Sequence, residues 1–174
     1  MADANDLFDL DADPEVMHFI TGGMPTPREE IENDVLPTFL RYYEQGDRYG
    51  FWAAIEKSSG EFLGWFHFRP REGGDQDEAE LGYRFKRSVW SQGYATEGSR
   101  ALIHKGFTEL GVRHVVAETM VVNAASRRVM EKAGLQYVRT FHQPWPYPIE
   151  GSEHGDVEYA LRKADWERLA NPPG

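Results

Sequence analysis

The chain of 174 residues contains no cysteine. Disulfides, thiolate metal sites and a cysteine nucleophile are therefore excluded. It also lacks an apolar run approaching the roughly 20 residues that span a bilayer. Its opening residues, Met1-Ala2-Asp3-Ala4-Asn5-Asp6, are acidic and do not read as a signal peptide. The expectation is a cytoplasmic protein with no membrane partner. Positive charge is scarce: 19 Lys and Arg against 29 Asp and Glu give a net charge of −10. That argues against a general nucleic-acid binder, which needs a basic face. It leaves room for a cationic partner, although solubility alone also accounts for it. The six histidines show no metal-ligand spacing, so no metal is expected. Neither a Walker A Gly-Lys-Ser/Thr nor a G-x-G-x-x-G fingerprint is present, which leaves nucleotide hydrolysis and dinucleotide binding without support.

What is present fits one domain, residues 1–174, of α/β class. Leu7 to Ile20 has helical apolar spacing broken at Pro14. Thr26-Pro27-Arg28-Glu29 reads as a capping box opening a helix toward Gln45, with a kink at Pro37. Strands are expected at Phe51–Lys57, Phe62–Arg69 and Ala79–Phe85, then a helix at Ala95–Leu110. Arg113–Val122 is apolar on both faces and reads as a central buried strand. A helix at Ala124–Ala133, strands at Leu135–Phe141 and Asp156–Leu161, and a helix at Ala164–Leu169 complete the order. Glu72–Glu78 and the Trp145-Pro146-Tyr147-Pro148 stretch read as loops.

The stretch Glu80–Glu97 joins a strand to a helix through Ser91-Gln92-Gly93-Tyr94-Ala95. Small residues at Gly93 and Ala95 let backbone N–H groups converge at the positive end of a helix, where an anion, usually phosphate, is held. Alone, the turn is also compatible with a plain strand-to-helix connection.

A second stretch narrows this. The strand ending at Val122, followed by Asn123-x-x-Ser126-x-x-x-x-x-Lys132-x-Gly134-Leu135, resembles the second signature of the Gcn5-related N-acetyltransferase (GNAT) superfamily. Trp90-Ser91-Gln92-Gly93-Tyr94-Ala95 resembles that family's acetyl-CoA loop. Together with Asp13-Pro14-Glu15-Val16-Met17 and Val157 to Trp166, it looks like the RimJ/RimL-like branch that acetylates ribosomal-protein alanines. The resemblance implies a mixed, mostly antiparallel sheet flanked by helices and splayed at its middle, between Ala79–Phe85 and Arg113–Val122. The family usually begins with an apolar strand before the segment at residues 3–20; either the start site is misassigned or the sheet lacks that strand, and the expectation is an exposed edge on Phe51–Lys57 or Phe62–Arg69. A tyrosine acid that many members place seven residues after the asparagine is Met130 here.

The resemblance implies transfer of the acetyl group of acetyl-CoA to a primary amine by direct attack. The amine is a protein N-terminus by branch, or that of a small molecule such as an aminoglycoside, polyamine or amino-acid derivative. A non-catalytic acetyl-CoA-binding module is the rival reading. Pantetheine would pair with the backbone of Phe85, Lys86 and Arg87. Pyrophosphate would rest on Gln92, Gly93, Tyr94, Ala95 and Thr96, with Asn123 and Ser126 near the thioester. Arg87, Arg127, Arg128 and Lys132 are candidates for the phosphates. Glu80 is the candidate base, unless it is a solvated or salt-bridged strand residue. Ser126 is the candidate acid or hydrogen-bond donor to the thiol, unless it only faces its own helical turn. His67 either faces the acceptor cleft or is structural. A homodimer is a further expectation from the family.

Overall fold

The structure is a computed structural model and describes residues 4–44, 46, 48–71, 73–75, 77–146 and 149–170. Gln45, the expected end of the second helix, lies outside the described residues, as do Glu72, Tyr147 and Pro148 of the expected loops.

The chain opens with two short helices, α1 (Ala4–Asp11) and α2 (Pro14–Thr21). Pro14 splits them as expected, because it occupies the first turn of α2 and Asp13 caps that turn, its side chain accepting from Glu15 N–H at 3.0 Å. The expected capping box at Thr26 does not form. Its hydroxyl donates instead to Asp11 Oδ2 at 2.6 Å, and α3 (Arg28–Glu30) starts without a side-chain cap. Pro37 does not break the helical run. A π turn at Ile31–Val35 carries α3 into α4 (Leu36–Glu44). One widened turn accommodates the N–H that proline lacks and the crowding its ring imposes on the preceding turn.

Six strands come next: β1 (Gly50–Ile55), β2 (Phe62–Pro70), β3 (Glu78–Phe85), β4 (His114–Met120), β5 (Gln136–Phe141) and β6 (Asp156–Arg162). Helix α5 (Tyr94–Thr108) joins β3 to β4, α6 (Ala124–Lys132) joins β4 to β5, and α7 (Lys163–Ala170) closes the chain. The sheet order is β1-β2-β3-β4-β6-β5, antiparallel except where β3 meets β4. The expected central strand is confirmed: β4 pairs on both sides, and Val115, Val116 and Ala117 are fully buried.

Alternation along the strands separates two faces. On one, Phe68, Ala79, Leu81, Val115, Ala117, Val157, Tyr159 and Leu161 pack against Ile103 and Phe107 of α5, Met130 of α6 and Trp166 of α7. On the other, α1 to α4 pack through Leu7, Leu10, Val16, Ile31 and Phe39 against Phe62 and Trp65 of β2 and Ala53 of β1. On that same face β3, β4 and β6 present mainly charged side chains. The expected exposed edge falls on β1. There the Tyr43 hydroxyl of α4 donates to the outward carbonyl of Phe51. Strand β5 forms the other edge, with Tyr137 and Val138 at least half exposed.

Candidate active site

The decisive feature is where β3 and β4 part. Their parallel pairing covers only Glu78–His114, Ala79–Val115 and Glu80–Val116. Beyond the Glu80–Val116 pair both strands continue, yet they no longer bond to each other. The result is the expected V, with Leu81–Phe85 on one arm and Ala117–Met120 on the other.

One arm leads to the glycine loop. Ser91 and Gly93 both take left-handed backbone conformations, at φ 62° and 93°. A Cβ on Gly93 would meet nothing within 4 Å, so the approach to this backbone is open. Helix α5 begins at Tyr94 with no side-chain cap, which leaves its first N–H groups directed outward. The loop is pinned from behind. Trp90 Nε1 donates to Phe85 O at 2.9 Å, Gln92 Nε2 donates to Ser88 O at 3.0 Å, and the Tyr94 hydroxyl reaches Glu56 Oε1 at 3.1 Å. Gly93, Tyr94, Ala95 and Thr96 thus present backbone to an anion, while the Gln92 and Tyr94 side chains stabilise the turn. These residues fit a pyrophosphate.

The expectation for Phe85, Lys86 and Arg87 needs correction. Lys86 N–H is bonded to Leu63 O of β2 at 2.9 Å, and Phe85 O already accepts the Trp90 indole. The carbonyls of Lys86 and Arg87 accept Val89 N–H and Trp90 N–H in a short 3₁₀ turn. Because Lys86 bonds toward β2, and the Leu81 N–H closes the last parallel pair by bonding to Val116, ladder alternation directs the C=O of Leu81, both backbone groups of Tyr83 and the N–H of Phe85 into the V. The free edge lies deeper along β3 than expected.

At the start of α6, Asn123 caps the helix through Oδ1, which accepts Ser126 N–H at 3.1 Å, while its Nδ2 donates to Thr119 Oγ1 at 3.1 Å. The Ser126 hydroxyl does not face its own turn. It lies 3.0 Å from the hydroxyl of Tyr83, which also donates to Ser126 O. Tyr83 thus bridges the two arms. Burial pushes its phenol up to about 12, offset only in part by the Ser126 contact. It stays a proton donor at neutral pH. Tyr83 is not singled out by the sequence, where it continues the apolar alternation Ala79-Leu81-Tyr83-Phe85; only its polar tip distinguishes it. Met130 is buried in the core and takes no part.

Of the expected phosphate-binding cations, Arg127 is committed elsewhere, to Val121 O and the Tyr159 hydroxyl. Arg87 pairs with Asp13 at 3.1 Å. Arg128 and Lys132 have no ion-pair partner among the described residues.

Facing the V on the α1 side is a row of carboxylates. Glu80 is held by Arg69 Nη2 at 3.1 Å and lies 3.4 Å from His67 Nε2. Burial pushes its carboxyl up, but His67 and Arg69 outweigh it, and the group titrates below the usual carboxylate range. Glu80 is therefore a carboxylate held between Arg69 and His67. Arg71 binds Glu78 at 3.3 Å, Glu158 at 2.7 Å and also Glu118. Glu118 titrates high, through burial first and through its neighbours Glu158 and Glu80, against the pull of Arg71. Asp156 opens β6 opposite Met120 and is 2% exposed; burial raises it, although Gln143 and Trp145 approach and favour the ionised form.

Asp11 and Arg84 close this side, paired at 2.5 Å. Among the described residues, the buried polar atoms without a hydrogen bond include His67 Nε2, Arg69 Nε, Arg84 Nε, Trp145 Nε1 and Asp156 Oδ2. Such atoms are rare in a finished core; those of His67, Arg69, Arg84 and Asp156 share the carboxylate face of the sheet, whereas Ser99 Oγ, also unpartnered, lies on α5. None of Arg69, Arg84, Asp11, Glu118 and Asp156 is marked by a local motif. Register alone brings them together. A pocket of about 440 Å³, lined by Asp9, Leu10, Asp13, Val16, Lys86, Arg87 and Ser88, opens beside α1 and α2.

Comparison with known proteins agrees with this geometry. The acetyltransferase (GNAT) domain family matches residues 1–136. The FsC-acetyl coenzyme A-N(2)-transacetylase of Aspergillus fumigatus is 35% identical over 169 residues, 94% of this chain and 71% of that protein. A GNAT-family acetyltransferase from Bacillus anthracis superposes with TM-score 0.75 at 22% identity, covering 93% of this chain and 90% of that one. The aminoglycoside acetyltransferase AAC(6')-Ib, crystallised with coenzyme A and kanamycin, superposes with TM-score 0.73 at 16% identity, covering 98% of this chain and 97% of that one. Sheet, splayed strands and sequence agree: the chain has the GNAT fold, belongs to the GNAT acetyltransferase family and is an acetyltransferase of that type.

Proposed function

We propose that the protein moves the acetyl group of acetyl-CoA to a primary amine of a small, cationic molecule by direct attack. The observation that carries this is the V beside a carboxylate row: an uncapped helix start and free strand edge on one side, and Glu80, Glu118 and Asp156 on the other. The N–H groups at Gly93 to Thr96 suit the pyrophosphate, and the C=O of Leu81, the N–H and C=O of Tyr83 and the N–H of Phe85 suit pantetheine in strand-like pairing. Arg128 and Lys132 are the cations left for the phosphates.

The carboxylates concentrate an ammonium at the cleft and stabilise its charge until it loses a proton. Ser126 donates a hydrogen bond to the leaving sulfur, its hydroxyl placed by the contact with Tyr83, whose own proton goes to Ser126 O. By their names, the fungal transacetylase acts on an N(2) group and AAC(6')-Ib on aminoglycosides, which supports a small amine over a protein N-terminus.

The test is a screen that follows thiol release from acetyl-CoA with polyamines, aminoglycosides, amino-acid derivatives and peptides with free N-termini. A small polycation among the best acceptors is the expected result. Preference for peptide N-termini would replace the acceptor class. Binding of acetyl-CoA without transfer to any amine would instead mark a binding module.

A further inference from the structure

His67 of β2 sits opposite Gly82 of β3. Glycine there is what lets the imidazole lie across β3: a Cβ on Gly82 would fall 2.4 Å from the ring's Cε1. Gly82 is also just past the last β3–β4 pair, Glu80–Val116. The ring therefore covers β3 where the V begins, on the carboxylate face. Its Nε2 is buried without a hydrogen bond and lies 3.4 Å from Glu80 Oε1. The second Glu80 oxygen is fixed by Arg69 at 3.1 Å. The rings of Phe51 and Trp65, centred 5.5 and 6.0 Å away, form the wall behind it. The other charged groups facing this cluster are Arg84 of β3, neutralised by Asp11 of α1, and Glu118 of β4, whose charge reaches Glu80.

We infer that His67 is the group that takes the proton from the attacking amine, and that Glu80, anchored by Arg69, positions and polarises the imidazole. The inference rests on the acetyl-transfer reading. Both Glu80 oxygens face protein groups, Oε2 on Arg69 and Oε1 toward His67, whereas imidazole is the side chain whose ordinary titration lies near neutrality. With Nε2–H directed at Glu80, Nδ1 carries the lone pair that meets the substrate.

The step balances. An ammonium gives one proton to Nδ1, which passes it to solvent. The neutral nitrogen forms the C–N bond, and the C–S electron pair departs with sulfur. The second N–H proton leaves as the amide forms, and the thiolate takes one up. The net products are amide, thiol and one released proton.

The experiment is the pH profile of kcat/KM for wild type, His67→Gln and Glu80→Gln, followed by thiol release, with acetyl-CoA affinity by calorimetry as the control for folding. Wild type should show an acid limb. His67→Gln should lose that limb and fall about 100-fold, with acetyl-CoA affinity held within about threefold. Glu80→Gln should keep the limb and fall about tenfold. The opposite pattern, with the limb retained in His67→Gln and abolished in Glu80→Gln, makes Glu80 the base and overturns the inference.

Should His67→Gln fail to bind acetyl-CoA, Gly82→Ala serves in its place. It pushes the ring away while keeping it, and an unchanged profile there is equally fatal. A transferring wild type with unaltered His67→Gln removes His67 alone. A wild type that binds acetyl-CoA and acetylates no amine removes the reading beneath it as well.

Discussion

The two sides of the V are made of different material. The donor side is backbone: N–H groups at the start of α5 and along β3, arranged by the left-handed turns at Ser91 and Gly93. The acceptor side is side chains: Asp11 paired with Arg84, Glu80 with Arg69 and Glu118 with Arg71, beside His67 and Asp156. A backbone site keeps its charge pattern at any pH and depends on a few positions without bulk. A side-chain site depends on a network, so one substitution orphans a partner and protonation changes its character. Backbone suits a donor with a fixed phosphate pattern. Side chains can vary with the acceptor while the backbone stays the same.

That contrast is tested most severely at Asp11. It is 4% exposed and accepts from both Thr26 and Arg84. Asp11→Ala leaves Arg84 charged and without its partner, an error that costs about 2–3 kcal/mol. Urea denaturation at neutral pH should show that loss, and adding Arg84→Met should recover most of it. A loss below about 0.5 kcal/mol would rank the pair with ordinary surface bridges and weaken the idea of an interlocked acceptor side. The donor side should respond differently. Gly93→Val forces a branched residue to φ 93°. Strain of about 1–3 kcal/mol should raise the acetyl-CoA Kd by about tenfold or more. Chemistry at saturation should stay within about twofold, since the acceptor side is untouched; a fall in kcat with unchanged Kd would assign Gly93 a different role.

Tyr83 joins the two sides, and its removal should act on chemistry alone. Tyr83→Phe deletes the hydroxyl bonded to Ser126. A hydrogen bond worth about 1 kcal/mol in the transition state corresponds to about a fivefold fall in kcat, with KM for acetyl-CoA little changed. Tyr83→Phe combined with Ser126→Ala should be hardly worse than either alone, because they act as a unit. Since the phenol is pushed up to about 12, wild-type activity should show no alkaline fall from Tyr83 below about pH 11.

The same contrast explains what the sequence discloses. The donor side reads directly from Trp90 to Thr96 and from Asn123 to Gly134, because a backbone site needs small residues and caps at fixed local spacing. Strand positions were legible from apolar alternation, and the split at Pro14 from proline geometry. The π turn before Pro37 was not, since a missing N–H can kink, end or widen a helix. The free strand edge was misplaced to Phe85–Arg87 because the sequence does not reveal which carbonyl Trp90 occupies. The acceptor side was hardest. Asp11 and Arg84 are far apart in sequence, and His67 meets Glu80 only through the β2–β3 register. Glu80 itself reads as a base on type and position, but its character is set by Arg69 and His67.

The finest test separates two glutamates of the acceptor side by the sign of their effect on stability. Glu80 titrates low in the folded protein, so its ionised form stabilises the fold above the ordinary carboxylate range, and that contribution is lost as pH falls through its folded value. Glu118 titrates high, so ionising it works against the fold; the burden is absent at low pH and grows as pH rises through its folded value. Glu80→Gln should therefore be less stable than wild type at pH 7, and Glu118→Gln equal or more stable, each within about 1 kcal/mol. The Glu118 difference should shrink toward zero as pH falls to the ordinary carboxylate range, whereas the Glu80 difference should persist further into acid and shrink only as pH falls through its own lowered value. Chemical denaturation at pH 7, 5 and 3.5 measures both. If the two variants shift stability in the same direction at pH 7, the carboxylates act as one pooled charge. Opposite signs that converge in acid would show instead that each glutamate is tuned by its own neighbours: Glu80 by Arg69 and His67, Glu118 by burial and the crowding of Glu158.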